Sequence, residues 1–143
     1  MLDDVLEFYN LILKTQSFCE ENIDKSFNKE ILCVNSKILF LIYKGGQVSP
    51  SVLVNELKMA KSNVALFCKN LLKEQFIKSI QDSFDHRIIY YCLTSKGQEY
   101  VENMLKDLQN KMSNSFEKSS LEKINQQVKQ LNKLFDKSGE KKW

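Results

Sequence analysis

Ile77-Lys78-Ser79-Ile80, then Gln81-Asp82-Ser83-Phe84-Asp85-His86-Arg87, then Ile88-Ile89-Tyr90-Tyr91-Cys92-Leu93 follow one another without a break. The two outer runs are rich in β-branched and aromatic residues, which suit a pleated and half-buried surface. The middle run is polar and carries turn-forming aspartates, so the stretch predicts a β-hairpin with a long tip. No other part of the chain reads as strand.

Upstream of the hairpin the apolar period is helical. Leu2, Val5, Leu6, Tyr9, Ile12, Leu13, Cys19 and Ile23 fall at three- and four-residue steps, predicting one long amphipathic helix over residues 2–27. Asn35 or Ser36 would cap a short second helix that runs through Tyr43 and ends at Gly45-Gly46. Ser49 before Pro50 reads as an N-cap followed by the first helical position, where proline forfeits no hydrogen bond, and this third helix should reach about Lys58. After a break at Met59-Ala60, a fourth helix from about Lys61 to Glu74 would bury Val64, Phe67, Cys68 and Leu71.

Downstream, Thr94 is a suitable N-cap for a helix carrying Tyr100, Val101, Met104, Leu105, Leu108, Met112 and Phe116. A break near Ser119-Ser120 should precede a last helix in which Leu121, Ile124, Val128, Leu131 and Phe135 form a near-heptad seam. The end from Ser138 reads as frayed. Three helices followed by a two-stranded wing make a winged helix-turn-helix, whose last short helix enters the DNA major groove while the hairpin tip reaches the adjoining backbone or minor groove. The expected fold class is mainly α with a small β-hairpin wing, flanked by N- and C-terminal dimerisation helices. It divides into residues 1–34, 35–97 and 98–143 within one intertwined domain.

The composition agrees. A chain of 143 residues with 43% hydrophobic and 27% charged side chains has room for one folded module and little more. One proline and four glycines are too few for the corners of a barrel or sandwich. The longest apolar run, Ile38 to Tyr43, falls far short of the roughly 20 residues that cross a bilayer. Asp3 and Asp4 stand where a signal peptide would be basic, so the expected compartment is the cytoplasm and no membrane partner is expected. Four scattered cysteines and one histidine suggest neither disulfides nor a metal, and no cofactor is expected. Without a glycine-rich phosphate loop or a second histidine, no enzymatic activity is expected.

The stretch Leu53-Val54-Asn55-Glu56-Leu57-Lys58-Met59-Ala60-Lys61-Ser62-Asn63-Val64, with Leu71 and Phe76-Ile77, resembles the core of MarR-family transcriptional regulators. Asp85-His86-Arg87 and Leu93-Thr94-Ser95-Lys96-Gly97 resemble that family's Asp-x-Arg and Leu-Thr-x-x-Gly signatures. The resemblance spans nearly the whole chain. It implies a homodimer that binds a pseudo-palindromic double-stranded operator, as a repressor more than an activator because occlusion needs only binding. It also implies a small aromatic or anionic effector in a cleft beside the winged helix; Phe8, Tyr9, Phe18 and Phe40 are aromatic candidates for its lining, or else plain core.

Under this resemblance Lys61, Ser62, Asn63, Ala65, Leu66, Lys69 and Asn70 face the DNA, the alternative for each being a solvated helix surface. Asn63 suits a bidentate contact with adenine, and Lys61 can reach guanine or a phosphate. Ala60 and Leu66 depart from the family, which often has a capping serine and a polar or basic residue there. A module that binds protein and has lost its DNA surface is therefore the alternative reading. On an extended hairpin edge Asp85 and Arg87, two apart, would share a face and pair; in the family the aspartate orients the arginine for DNA, the alternative being an ordinary salt bridge. His86 would meet a phosphate or solvent.

Arg87 is the only arginine beside 20 lysines, and a planar guanidinium enters a narrow minor groove more readily than an ammonium. The net charge of +3 also hides a gradient: residues 58–96 hold seven basic and three acidic side chains, residues 1–35 three basic and seven acidic. The dimer seam would use Leu2, Val5, Leu6 and Tyr9 with Leu121, Ile124, Val128, Leu131 and Phe135. A redox-sensing regulator would use Cys19, although Glu20 and Glu21 disfavour its thiolate. Cys19, Cys33 and Cys68 read as buried small hydrophobes.

Overall fold

The computed structural model describes residues 2–22 and 25–141, with the side chains of 2–21 and 29–136. The elements follow in the order α1 (Leu2–Asn22), α2 (Lys25–Leu32), α3 (Val34–Gly45), α4 (Pro50–Leu57), α5 (Lys61–Lys73), β1 (Ile77–Gln81), β2 (Ile89–Leu93), α6 (Ser95–Ser115) and α7 (Lys118–Lys141). Two units result, Met1–Lys106 and Asp107–Trp143.

In the first unit, β1 and β2 pair antiparallel from Ile77 opposite Leu93 to Gln81 opposite Ile89. A third short edge, not expected from the sequence, is supplied by Val48. Its amide donates to the Tyr91 carbonyl at 3.0 Å and its carbonyl accepts from the Tyr91 amide at 2.8 Å. Val48 and Tyr91 are both buried, so the α3–α4 connection is stitched to the wing. The core beneath combines Ile38, Leu39 and Ile42 of α3, Leu53 of α4, Val64, Cys68 and Leu71 of α5, Ile77 of β1 and Val101 of α6. At three- and four-residue steps these side chains make one stripe per helix, which leaves the opposite stripe of α5 in solvent.

The helix ends show how the sequence fixes this packing. Ser49 caps α4 as expected, its Oγ accepting from the Val52 amide at 3.4 Å with Pro50 at the first helical position. Gly46, at φ +78°, ends α3 in a conformation that side-chain-bearing residues avoid. The α5 terminus closes with Gln75 at φ 64°, the Phe76 amide donating to the Leu71 carbonyl at 3.0 Å and the Gln75 amide to the Leu72 carbonyl at 3.1 Å. That is a Schellman closure made without glycine.

Several boundaries differ from the sequence reading. The expected single helix over 2–27 is two helices, α1 and α2, and Ile23 lies outside the described residues. Cys33, not Asn35 or Ser36, occupies the N-cap of α3 and makes no side-chain cap bond. Ser36 is instead buried, its Oγ 2.9 Å from the Tyr100 hydroxyl while the Cys33 thiol donates to it at 3.2 Å. A long-range partner thus outcompetes the local cap. Cys33 is exposed and Cys19 half-buried, so of the three cysteines expected inside only Cys68 is.

In the second unit, the break between α6 and α7 falls at Phe116-Glu117 and not at Ser119-Ser120. The Phe116 amide closes α6 onto the Met112 carbonyl, and Leu121 N–H already donates to Glu117 C=O. The α7 backbone continues to Lys141, beyond Ser138; Lys142 and Trp143 lie outside the described residues. Among the described residues no helix is long and apolar enough to cross a membrane.

Candidate nucleic-acid interface

The tip of the hairpin is built by its own aspartates. Asp82 Oδ2 accepts from the amides of Phe84 and Asp85 at 3.1 and 3.0 Å. The Asp82 amide donates to the Ile88 carbonyl at 2.9 Å, and the Ile88 amide to the Asp85 carbonyl at 3.0 Å. Such side-chain and main-chain bonds are the aspartate turns that compete successfully with a regular ladder.

Asp85 then acts on Arg87. Its Oδ1 accepts from the Arg87 amide and from Nε, each at 3.0 Å, while Oδ2 accepts from Nη2 at 3.0 Å. The expected pair therefore exists, but for a different reason. It is fixed by a tight turn beyond the strands and not by two residues sharing one face of an extended edge. The bidentate fork holds the guanidinium in one plane. The Arg87 side chain remains 91% exposed against 35% for Asp85. Hydrogen bonding to the guanidinium holds the Asp85 carboxyl below its ordinary value, and the carboxylate raises Arg87 in return.

Helix α5 lies beside the tip. Val64, Cys68 and Leu71 fasten it to the core, and Lys61, Ser62, Asn63, Ala65, Leu66, Lys69 and Asn70 are all exposed. Ala60 starts the helix with no side-chain cap, so the first-turn amides of α5 have no cap side chain in front of them. Burial pushes the Cys68 thiol up to about 11, which keeps it neutral and inert.

Lys61 and Arg87 line one open recess together with Ser49, Ser51, Asn55 and the apolar Ile88 and Ile89. Three of these polar residues were missed in the sequence reading: Ser49 was legible as a cap only, and Ser51 and Asn55 carry no pattern of their own. A recess with two cations, two hydroxyls and a carboxamide is suited to phosphate and sugar oxygens. His86 is exposed at the tip. Among the described residues no three His, Cys, Asp or Glu side chains are grouped to hold a metal ion.

The joint behind the wing explains the Leu-Thr-x-x-Gly pattern. Thr94 Oγ1 donates to the Gln75 carbonyl at 2.6 Å and accepts from the Gly97 amide at 3.2 Å. Its amide donates to the Phe76 carbonyl at 3.1 Å. Lys96 Nζ donates to the Glu74 carbonyl at 2.9 Å and lies 4.3 Å from the centre of the Phe76 ring. Gly97 has no room for a side chain, because a Cβ would stand 2.1 Å from the Phe76 carbonyl oxygen.

The residues expected at a dimer seam lie on two elements. Leu2, Val5, Leu6 and Tyr9 are exposed on α1, as are Val128 and Phe135 on α7, where Leu121, Ile124 and Leu131 are half-buried. Of the aromatic candidates for an effector cleft, Phe8 and Tyr9 are exposed, Phe18 is half-buried and Phe40 packs against the core.

No family model matches the chain. A curated relative, the uncharacterized HTH-type transcriptional regulator YwhA of Bacillus subtilis, is 25% identical over 122 residues, covering 85% of this chain and 84% of the relative. The transcriptional regulator BldR of Sulfolobus solfataricus superposes with a TM-score of 0.63 at 23% identity, covering 96% of this chain and 98% of that one. A mutant of MarR from E. coli, solved with operator DNA, gives 0.58 at 13% identity, covering 92% and 97%. The chain has the winged-helix fold of MarR-family regulators, and YwhA and BldR are named as transcriptional regulators.

Proposed function

We propose that this chain is a MarR-type transcriptional regulator that binds double-stranded DNA. The observation that carries the reading is Arg87: an exposed guanidinium, held in one orientation by a carboxylate at a hydrogen-bonded tip, beside an outward-facing α5 and a recess shared with Lys61. Such a group can follow the minor groove where an ammonium would remain hydrated. Lys61, Ser62, Asn63, Ala65, Leu66, Lys69 and Asn70 would then face the major groove, and His86 a phosphate. YwhA and BldR, both named as regulators, and the operator complex of MarR support this.

The proposal extends to a homodimer. Leu2, Val5, Leu6 and Tyr9 on α1 and, separately, Val128 and Phe135 on α7 are exposed apolar side chains that water does not favour, and a second copy would cover them. A two-fold pair presents two heads about one helical turn apart, matching a pseudo-palindromic operator. Its finer parts are action in the cytoplasm, from the acidic start of the sequence, a repressor role, since occlusion needs only binding, and relief by a small aromatic or anionic effector, from the family resemblance.

The test is selection of duplexes by the full chain from a random-sequence library, followed by titration across salt. Enrichment of a pseudo-palindrome bound two chains to one duplex, with affinity falling steeply in salt, is the expected result. Arg87→Ala should weaken binding by about tenfold and flatten the salt slope by about one. Failure to enrich any sequence would refute the reading and leave the protein-binding alternative, which the exposed Leu66 (58%) on α5 favours.

A further inference from the structure

Phe84 is the most exposed of the large apolar side chains described, at 96%, and it stands on the same tip as Arg87. Leaving a phenyl ring in water forgoes the free energy that burial of its apolar surface would return. A turn residue has no need of it, since Asp82 fixes the turn through the Phe84 amide and not through the ring. The backbone that carries the ring is nonetheless among the best-tied in the wing. Asp82 holds residues 84 and 85, and the Asp82–Ile88 and Ile88–Asp85 bonds close the loop beneath them. A stiff arm therefore presents a large apolar group with no use inside the chain.

Its neighbours identify what it meets. Phe84 shares the tip with His86 and Arg87, two and three positions along and both exposed, and Lys61 shares the Arg87 recess. This is a surface for a polyanion with an apolar point on it. A single ring with cations beside it is a poor anchor for a protein groove but fits the DNA minor groove, which is about 6 Å wide and admits an aromatic edge. Apolar side chains placed there wedge between base pairs and partly unstack one step, which is least costly at flexible pyrimidine–purine steps.

We infer that Phe84 is a specificity-determining wedge: with Arg87 steering the tip into the minor groove, the ring inserts at one base step on each flank of the operator and selects for a deformable step there. The inference rests on the DNA-binding function proposed above. Phe84 adds shape selection where α5 does not reach, and it contributes no charge to the binding.

The test uses the full chain and a duplex of about 30 base pairs obtained by the selection described above, long enough for two half-sites. Phe84→Ala should weaken binding by about tenfold while leaving the salt slope and thermal midpoint unchanged, because the ring carries no charge and touches almost nothing. Arg87→Ala should instead reduce the slope. 2-Aminopurine placed at successive flank positions should brighten at one step when the wild-type chain binds and stay quenched with Phe84→Ala. Repeating the selection with Phe84→Ala should remove the preference for a pyrimidine–purine step at that position. Wild-type affinity in Phe84→Ala, a lowered thermal midpoint, or a quenched probe throughout with the wild-type chain would each overturn the wedge while DNA binding stands. If the wild-type chain enriches no duplex, the DNA reading itself fails and the wedge with it.

Discussion

Gly97→Ala offers a test in which two physical rules predict opposite signs. Gly97 is the third residue of α6, and replacing glycine by alanine within a helix ordinarily stabilises it by up to about 1 kcal/mol. Here the new Cβ would lie 2.1 Å from the Phe76 carbonyl oxygen and 3.2 Å from both the Phe76 carbonyl carbon and Leu93 Cδ2. A relaxed carbon–oxygen contact needs more than 3 Å, so α6 and the chain entering β1 must separate by about 1 Å. That oxygen accepts from the Thr94 amide at 3.1 Å and shares the single Thr94 hydroxyl proton, at 3.1 Å, with the nearer Gln75 carbonyl. Loosening the amide bond and the shared hydroxyl bond costs about 1–2 kcal/mol together, and the overpacking itself about 1–3 kcal/mol. A net loss of about 3 kcal/mol is expected after the helix-propensity gain, a large fraction of the roughly 5–15 kcal/mol that a domain has. Urea denaturation of Gly97→Ala followed by circular dichroism measures it, with the exposed Gln98→Ala as control and a change there within about 0.5 kcal/mol. A loss under 1 kcal/mol, or any gain, would show that the joint between wing and α6 yields freely, and the account of Gly97 would be wrong.

Lys96→Ala should lower stability by about 1 kcal/mol through loss of the Glu74 carbonyl contact and the Phe76 ring contact, while Lys96→Arg should retain most of it in the same denaturation assay. Cys68, raised by burial from 9.0 to about 11, should resist a thiol-reactive probe in the native chain and react on unfolding. Because its folded value lies above the unfolded one, the stability it contributes is complete below pH 9 and is lost as pH rises toward 11; Cys68→Ala should flatten that alkaline slope in denaturation curves. Asp85 has the opposite sign. Its value is depressed in the folded chain, so the ordering of the tip is complete above the usual carboxylate range and is lost as acid protonates it below that range. NMR titration of the Asp85 carboxyl should show the lowered midpoint, and Arg87→Ala should raise it toward the ordinary range while the bond from the residue-87 amide keeps part of the lowering.

What was legible in the sequence was whatever depends on neighbours within a few residues. The Ser49-Pro50 start of α4, the apolar stripe of α5, the hairpin strands and the Asp85–Arg87 pair are all local, and all stand in the structure. What escaped depends on contacts between distant residues. Ser36 looked like a cap because capping is its best local option, yet Tyr100, 64 positions away, holds it inside. Val48 sits in a turn by composition and becomes a sheet edge only because Tyr91 offers it two hydrogen bonds.

The candidate interface divides the same way. The residues on α5 and the arginine could be named from periodicity and residue type, whereas Ser51 and Asn55 join Lys61 and Arg87 only after the hairpin folds back over α4. Phe84 was hidden for the opposite reason. In a polar loop its side chain carries no periodic signal, and exposure cannot be read from one apolar residue among aspartates and serines. The tip's geometry also changes the meaning of the Asp-x-Arg spacing. On a strand, two residues apart would merely permit a contact; in this turn the same carboxylate binds the Arg87 amide as well as its guanidinium. The backbone and the side chain of Arg87 are therefore set by one group, so Asp85→Asn, which keeps the amide bond and gives up the ionic fork, separates the shape of the wing from the aim of its arginine. Loss of DNA affinity in Asp85→Asn with an intact tip by NMR would assign the aspartate to aiming, and undiminished affinity would assign it to the turn alone.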